Sequence, residues 1–131
     1  MQQRLFHRVL FTAKSVVTVA DVIFKGHIEN ISLNGAMISF KKDISVKRGD
    51  KCFLAIYPEG EDEPIRIIAE VVHTSGNMVG MKFIAIDADT QFRLYDLVEK
   101  ATTEPERLLS EFDRLKGYLA GYMMPDKKER R

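Results

Sequence analysis

Short apolar runs rich in valine, isoleucine and phenylalanine occupy the chain from Val9 to Phe83. Glycine, proline, asparagine or clustered charges interrupt them about every ten residues, which is typical of an antiparallel barrel or sandwich. The predicted strands lie near Ser15–Phe24, Gly26–Ile31, Ala36–Lys41, Lys51–Tyr57, Pro64–His73 and Met78–Ile84. Six strands within about 75 residues imply that the sheet closes on itself, so a mainly β chain is expected.

Glycine marks three predicted turns between these strands. Gly26 lies in the stretch FKGH, Gly49 in KRGD and Gly76 in SGN, and each stretch suits a tight connection. The acidic stretch PEGEDEP, residues 58–64, is predicted to be a hairpin tip. Carboxylates on such a loop are usually solvated, so we expect no metal site there.

After residue 86 the apolar period lengthens from two residues to about 3.6, which predicts helices. Asp87 or Asp89 can cap the first helix, and Thr103 with Glu106 forms a capping-box pattern for the second, which has Pro105 near its start.

The second helix, expected from about Pro105 to Met123, has an apolar seam. Its members are Leu108, Phe112, Leu115, Leu119 and Tyr122. The seam covers one end of the barrel or pairs with another subunit or partner, and about two heptads do not decide between these roles. We expect residues 1–100 to form the barrel with its first helix, and residues 101–131 to form this helix and a disordered basic tail.

The amino-acid composition limits the kinds of function that this chain can have. The chain has 131 residues, enough for one domain, and its 20 basic and 19 acidic residues leave a net charge of only +1. A general DNA or RNA binder would have a stronger positive field, so any anion site must be local. The single cysteine, Cys52, is expected to be a buried thiol, and no apolar run is long enough to cross a membrane. A soluble cytoplasmic protein is the simplest expectation.

Two motifs suggest where such a local anion site lies. The first is Arg4-x-x-x-Arg8, in a segment without any acidic residue before Asp21. A chain with nine arginines contains this spacing by chance about 0.6 times, so alone it carries little information. The second is [Asp/Asn]-x-Ser-x-x-Gly, at Asn30, Ser32 and Gly35, for which chance predicts only about 0.03 occurrences.

Together these features resemble a PilZ domain. The resemblance rests on RLFHR, NISLNG, the Gly49-Asp50 turn, a strand ending in VVH, and VGMKF before a helix, and it covers about residues 3–100. It implies a six-stranded antiparallel β-barrel with C-terminal helices that binds the bacterial second messenger cyclic di-GMP and requires no cofactor. In the family, two arginines of a flexible N-terminal loop close over the second motif on the barrel surface. The implied ligand-binding residues are Arg4, Arg8, Asn30, Ser32 and Gly35.

The residue types suit this ligand. A guanidinium can make paired hydrogen bonds to phosphate oxygens or to the O6 and N7 edge of guanine, and it can stack on the base. With no acid nearby in sequence, both arginines are expected to be unpaired until the ligand arrives. Asn30 and Ser32 are short donors and acceptors, and Gly35 allows close approach of a backbone or ligand. Asn30 stands where the family more commonly has aspartate.

We therefore expect a non-enzymatic receptor whose N-terminal loop closes over cyclic di-GMP and changes the surface shown to an effector protein, for example in motility or biofilm control. The sequence contains no nucleophile with an adjacent base and no glycine-rich phosphate loop. One alternative is an adaptor that keeps the barrel but acts through protein contacts in motility or secretion. Another is a barrel that binds single-stranded nucleic acid, which the near-neutral charge and the absence of tryptophan disfavour.

Overall fold

The structure, a computed structural model, describes residues 6–114. Its strands are β1 (Val9–Val19), β2 (Val22–Ile31), β3 (Gly35–Phe40), β4 (Lys51–Tyr57), β5 (Ile65–Ser75) and β6 (Met78–Ala85). The helix α1 spans Ala88–Ala101, and a second helix, α2, is described over residues 105–114.

The six strands form a closed antiparallel barrel in the order β1-β2-β3-β6-β5-β4, and pairing of β4 with β1 completes the ring. The strands alternate between buried and exposed positions, as in β4, where Cys52, Leu54 and Ile56 face the core. Closure removes both edge strands, so every strand has a neighbour on each side. The expected fold class, a six-stranded barrel with C-terminal helices, is confirmed.

The first predicted turn is wrong. The chain reverses at Ala20 and Asp21, which both have positive φ (48° and 72°), and Gly26 lies inside β2. Gly26 is buried between its neighbours on β1 and β3, and a Cβ there would lie 2.6 Å from the carbonyl oxygen of Ser39 and 2.7 Å from the Phe40 ring. This glycine therefore serves close packing inside the barrel and not chain reversal. The first strand runs from Val9 to Val19, and not from Ser15 to Phe24 as predicted.

The other turns lie where the sequence predicts them. Gly49 and Gly76 have φ of 97° and 61°, a region that favours glycine, and Gly76 lies in the two-residue connection between β5 and β6. The backbone N–H of Asp50 donates to the carbonyl of Lys47 at 3.0 Å, which closes the turn before β4. The acidic stretch of residues 58–64 connects β4 to β5.

Helix α1 begins as predicted and packs against β1 and β5. The carboxylate of Asp87 accepts a hydrogen bond from the Thr90 N–H at 2.8 Å and caps the helix. Its buried side chains are those of Gln91, Leu94, Leu97 and Val98. None of the helices within residues 6–114 is long and apolar enough to cross a membrane.

Helix α2 is part of the same core over its described length. Leu108 is fully buried and Phe112 is 6% exposed, and the Phe112 ring lies 4.6 Å from that of Tyr95 on α1. Thr102, one residue earlier than predicted, supplies the hydroxyl that accepts from the Glu104 N–H at 3.0 Å before the helix. The first two residues of the predicted seam therefore pack against their own chain. The rest of the seam and the basic tail lie outside the described residues.

Candidate functional site

The two motifs meet where β1 begins and β2 ends. Arg8 immediately precedes β1, and Asn30 lies next to last in β2, paired with Leu10 on one side and Met37 on the other. An Nη1–H of Arg8 donates to the Asn30 Oδ1 atom over 3.3 Å, although the two residues are 22 positions apart. The antiparallel register of β1 and β2 thus brings Arg8, from the first motif, next to Asn30 of the second motif. Arg4 lies outside the described residues.

This contact corrects one expectation. From the lack of nearby acids we expected both arginines to be unpaired before a ligand arrives, but Arg8 already has a partner on the barrel. That partner is a neutral amide, which holds a guanidinium less strongly than a carboxylate would. Arg8 is therefore placed at the barrel surface while its charge is not neutralised by Asn30.

Ser32 and Asn34 shape the turn between β2 and β3. The Ser32 hydroxyl donates to Asn34 Oδ1 at 2.9 Å and accepts from the Asn34 N–H at 3.2 Å. The Ser32 N–H donates to the Gly35 carbonyl at 2.8 Å, which closes the turn. Ser32 is only 1% exposed, so its hydroxyl is engaged inside the turn and not directed to solvent.

Gly35 allows β3 and β6 to approach each other. A Cβ at this position would lie 2.6 Å from the backbone carbonyl oxygen of Met81. Next to it, the Phe83 N–H donates to the Asn34 carbonyl at 2.8 Å, so the turn is tied directly to β6. The motif glycine is thus explained by a close backbone contact. Lys82, which pairs with Gly35, is exposed.

Sequence reasoning missed an apolar side chain at this site. Leu10 is 86% exposed, the largest exposure among the large hydrophobic residues of the described chain, and it lies directly across from Asn30. The available signal was the strand period: because Val9 is buried, its neighbour in β1 must face outward. The site therefore combines a guanidinium, an amide and an exposed apolar side chain.

Sequence reasoning also missed two acidic residues that contact the arginine segment. We define the arginine segment as residues 4–8. The Glu111 carboxylate on α2 accepts the His7 N–H with both oxygens, at 3.0 and 3.1 Å. Glu104 lies 3.7 Å from the His7 Nδ1 atom. These contacts join positions about one hundred residues apart, so no local sequence pattern could reveal them.

The single cysteine plays no part in the site. Cys52 is 2% exposed, and its thiol lies 3.6 Å from the Ala69 carbonyl inside the barrel. Burial, and then the negative charge of Asp50, raise the pKa of the Cys52 thiol to about 11. Since the thiolate is the reactive form, this cysteine is a packing residue at neutral pH. Within residues 6–114, no three histidine, cysteine, aspartate or glutamate side chains are grouped so as to hold a metal ion.

The chain is thus a small closed barrel with polar and basic groups gathered at one surface turn. The family model described as PilZ domain matches residues 2–100, and the chain belongs to this family. A comparison with curated protein sequences finds no match.

Solved structures share the fold at low sequence identity. The Bacillus subtilis Inhibitor of motility (MotI/DgrA) is 19% identical with a TM-score of 0.64, over 76% of this chain and 51% of that one. The PilZ domain of YcgR from Escherichia coli, solved with c-di-GMP, is 12% identical with a TM-score of 0.64, over 76% of this chain and 94% of that one. The PilZ domain of CeSA from a cellulose-synthesizing bacterium is 16% identical with a TM-score of 0.56, over 72% and 94% of the two chains. The chain spans about half the length of the B. subtilis protein.

Proposed function

We propose that this chain is a cyclic di-GMP receptor without catalytic activity, in which the arginine segment closes over the ligand at the NISLNG motif (residues 30–35). The observation that carries the proposal is the contact between Arg8 and Asn30, which puts one residue of each motif within hydrogen-bond distance. The similarity to the YcgR PilZ domain solved with c-di-GMP supports the choice of ligand.

The proposed roles follow from where each side chain lies. Arg8 would exchange its contact with the neutral Asn30 amide for a phosphate or a guanine edge, both of which accept paired hydrogen bonds from a guanidinium. Arg4, three residues before His7 in the same segment, would make the same kinds of hydrogen bond to the ligand. Freed from Arg8, the Asn30 amide offers both a donor and an acceptor to a base.

Two members of the second motif act in this proposal through the backbone. Ser32 holds the turn, because its hydroxyl is bonded within residues 32–35 and is almost fully buried. Gly35 keeps β3 close to β6, since a Cβ would clash with the Met81 carbonyl. The apolar surface of Leu10 would pack against a guanine face.

Titration of the full chain with cyclic di-GMP by calorimetry tests the proposal. Arg8→Ala should weaken binding by about 1.5 to 3 kcal/mol, the range for hydrogen bonds to charged groups, while the melting temperature changes little. Arg8→Lys should recover only a small part of that loss, because lysine lacks the planar paired donors.

Arg48→Ala is the matched control. Arg48 is exposed in the turn before β4, so its removal changes the net charge equally without touching the motifs. No measurable binding by the unmodified chain, or equal losses for Arg8→Ala and Arg48→Ala, would reject the proposed receptor function.

A second candidate is an adaptor that acts through protein contacts and does not bind the nucleotide. The structural similarity to the B. subtilis Inhibitor of motility favours a partner in motility for either candidate. The same titration separates the two, since an adaptor of this kind gives no heat with cyclic di-GMP.

A further inference from the structure

Helix α2 contacts the arginine segment from the far end of the sequence. Both oxygens of the Glu111 carboxylate accept the His7 N–H, across a sequence separation of 104 residues. One residue earlier, the Phe6 ring lies 5.6 Å from the guanidinium carbon of Arg114. Two successive residues of the segment are therefore held by one face of α2.

Glu111 is built into this contact. The residue is 2% exposed, and a buried carboxylate is stable only when its oxygens have partners. Arg107, one helical turn earlier, donates from Nε to Glu111 Oε2 at 2.9 Å and compensates the charge. The backbone amide of His7 supplies the other hydrogen bonds. A charge-assisted bond of this kind is stronger than one between neutral groups.

The position of this contact matters because His7 directly precedes Arg8. Fixing the His7 amide to α2 limits where the Arg8 side chain can reach, and in the structure it reaches Asn30 Oδ1. A segment that is already ordered loses less conformational entropy when it binds a ligand than a free one does.

We propose that Glu111 is a positioning residue for the cyclic di-GMP site: it anchors the backbone at His7 and holds Arg8 over Asn30 before the ligand arrives. Ligand binding and the docking of α2 are therefore coupled, because each is favoured when the segment is ordered. The identity of the ligand in this inference rests on the proposed receptor function. The anchoring itself rests on the contacts of Glu111 with His7 and of Arg8 with Asn30.

Calorimetry on full-length variants tests the anchor. Glu111→Ala should raise the dissociation constant for cyclic di-GMP about tenfold, roughly the cost of ordering one residue of backbone. Glu111→Gln, which keeps one acceptor oxygen but loses the charge, should give an intermediate value. Glu106→Gln is the control, because Glu106 is an exposed acid on the first turn of the same helix.

A double-mutant cycle separates positioning from general destabilisation. If Glu111 acts through Arg8, then Glu111→Ala should weaken binding much less in an Arg8→Ala background than in the unmodified chain. An equal loss in both backgrounds, or an unchanged or tighter dissociation constant for Glu111→Ala alone, overturns the inference. If Glu111→Ala does not fold, the same cycle with Glu111→Gln decides.

Hydrogen exchange at the His7 amide tests the anchor without any ligand. Its exchange should be slow in the unmodified chain and in Glu106→Gln, and at least tenfold faster in Glu111→Ala. Fast exchange in the unmodified chain overturns the anchor. Slow exchange combined with no binding of cyclic di-GMP would instead reject the receptor function and leave the anchor supported.

Discussion

At the scale of single residues, the side chain at position 30 contributes to how firmly Arg8 is held. An aspartate here would form an ion pair with the guanidinium, whereas Asn30 offers only a neutral oxygen at 3.3 Å. In the proposed receptor, a ligand phosphate would displace this amide contact. The Asn30 amide would then be able to donate to a base, which an ionised carboxylate cannot do.

A residue-scale prediction concerns Cys52, whose pKa is raised from 9.0 to about 11 by burial and by Asp50. Below the unfolded pKa the thiol is neutral in both states, so this contribution to stability is fully present. As the pH rises from 9 towards 11, the unfolded thiol ionises first and the contribution is lost. Between about pH 8 and pH 10.5 the free energy of unfolding should therefore fall by about 2 kcal/mol more than in Cys52→Ala. Urea unfolding of both proteins measures this, and parallel pH profiles would contradict it.

Residue by residue, the sequence predicted the positions of the motifs better than the roles of their members. Asn30 lies beside Arg8 because the register of β1 and β2 is set by the local alternation of buried and exposed residues. Ser32 is buried in its turn, and only the three-dimensional hydrogen bonds reveal this. The anchor Glu111 could not be predicted, since its partner is a backbone amide 104 residues away.

At the scale of elements, the first hairpin shows that a glycine in the sequence does not always mark a turn. Its two turn residues, Ala20 and Asp21, have positive φ without being glycine, while the nearby Gly26 is required inside β2. A rule that assigns turns to glycine therefore shifted the first strand by several residues and started the second at Gly26 instead of Val22. The last four strands and the start of α1 were predicted well because alternation, turn residues and the Asp87 cap all agree there.

Two substitutions in this hairpin should change the stability of the protein in opposite directions. Asp21→Gly should stabilise the protein by up to about 1 kcal/mol, because glycine adopts positive φ without the steric cost of a side chain. Gly26→Ala should destabilise it by about 1 to 3 kcal/mol, because the added methyl group meets the Ser39 carbonyl and the Phe40 ring. Chemical unfolding compares both variants with the parent chain. A Gly26→Ala variant at least as stable as the parent would contradict this close packing, because it would show that the barrel accommodates a Cβ at this position.

At the scale of the whole molecule, α2 belongs to the fold. Leu108 and Phe112 are buried in the same core as the barrel residues, so the barrel and α2 should unfold together. We earlier expected this seam to cover the barrel or to pair with another subunit. Its two described members pack into the same core as the barrel residues, and self-association through the rest of the helix stays a prediction, which light scattering can test.

Ending the chain after Thr103 should therefore lower the free energy of unfolding by about 3 to 6 kcal/mol, the burial of two large apolar side chains. A point variant makes the same test without a truncation. Leu108→Ala should cost about 2 to 5 kcal/mol, whereas Leu109→Ala, at a neighbouring position that is 51% exposed, should cost less than about 1 kcal/mol. Equal effects of the two alanine variants would place α2 outside the core.

The contact between His7 and Glu111 also has a consequence for synthesis on the ribosome. His7 is synthesised 104 residues before Glu111, its partner on α2. At roughly 5 to 20 residues per second, this delay is about 5 to 20 s. All six barrel strands are complete before residue 111 is added. For several seconds a nascent barrel therefore lacks the hydrogen bonds between His7 and Glu111, which form only after α2 has left the ribosome.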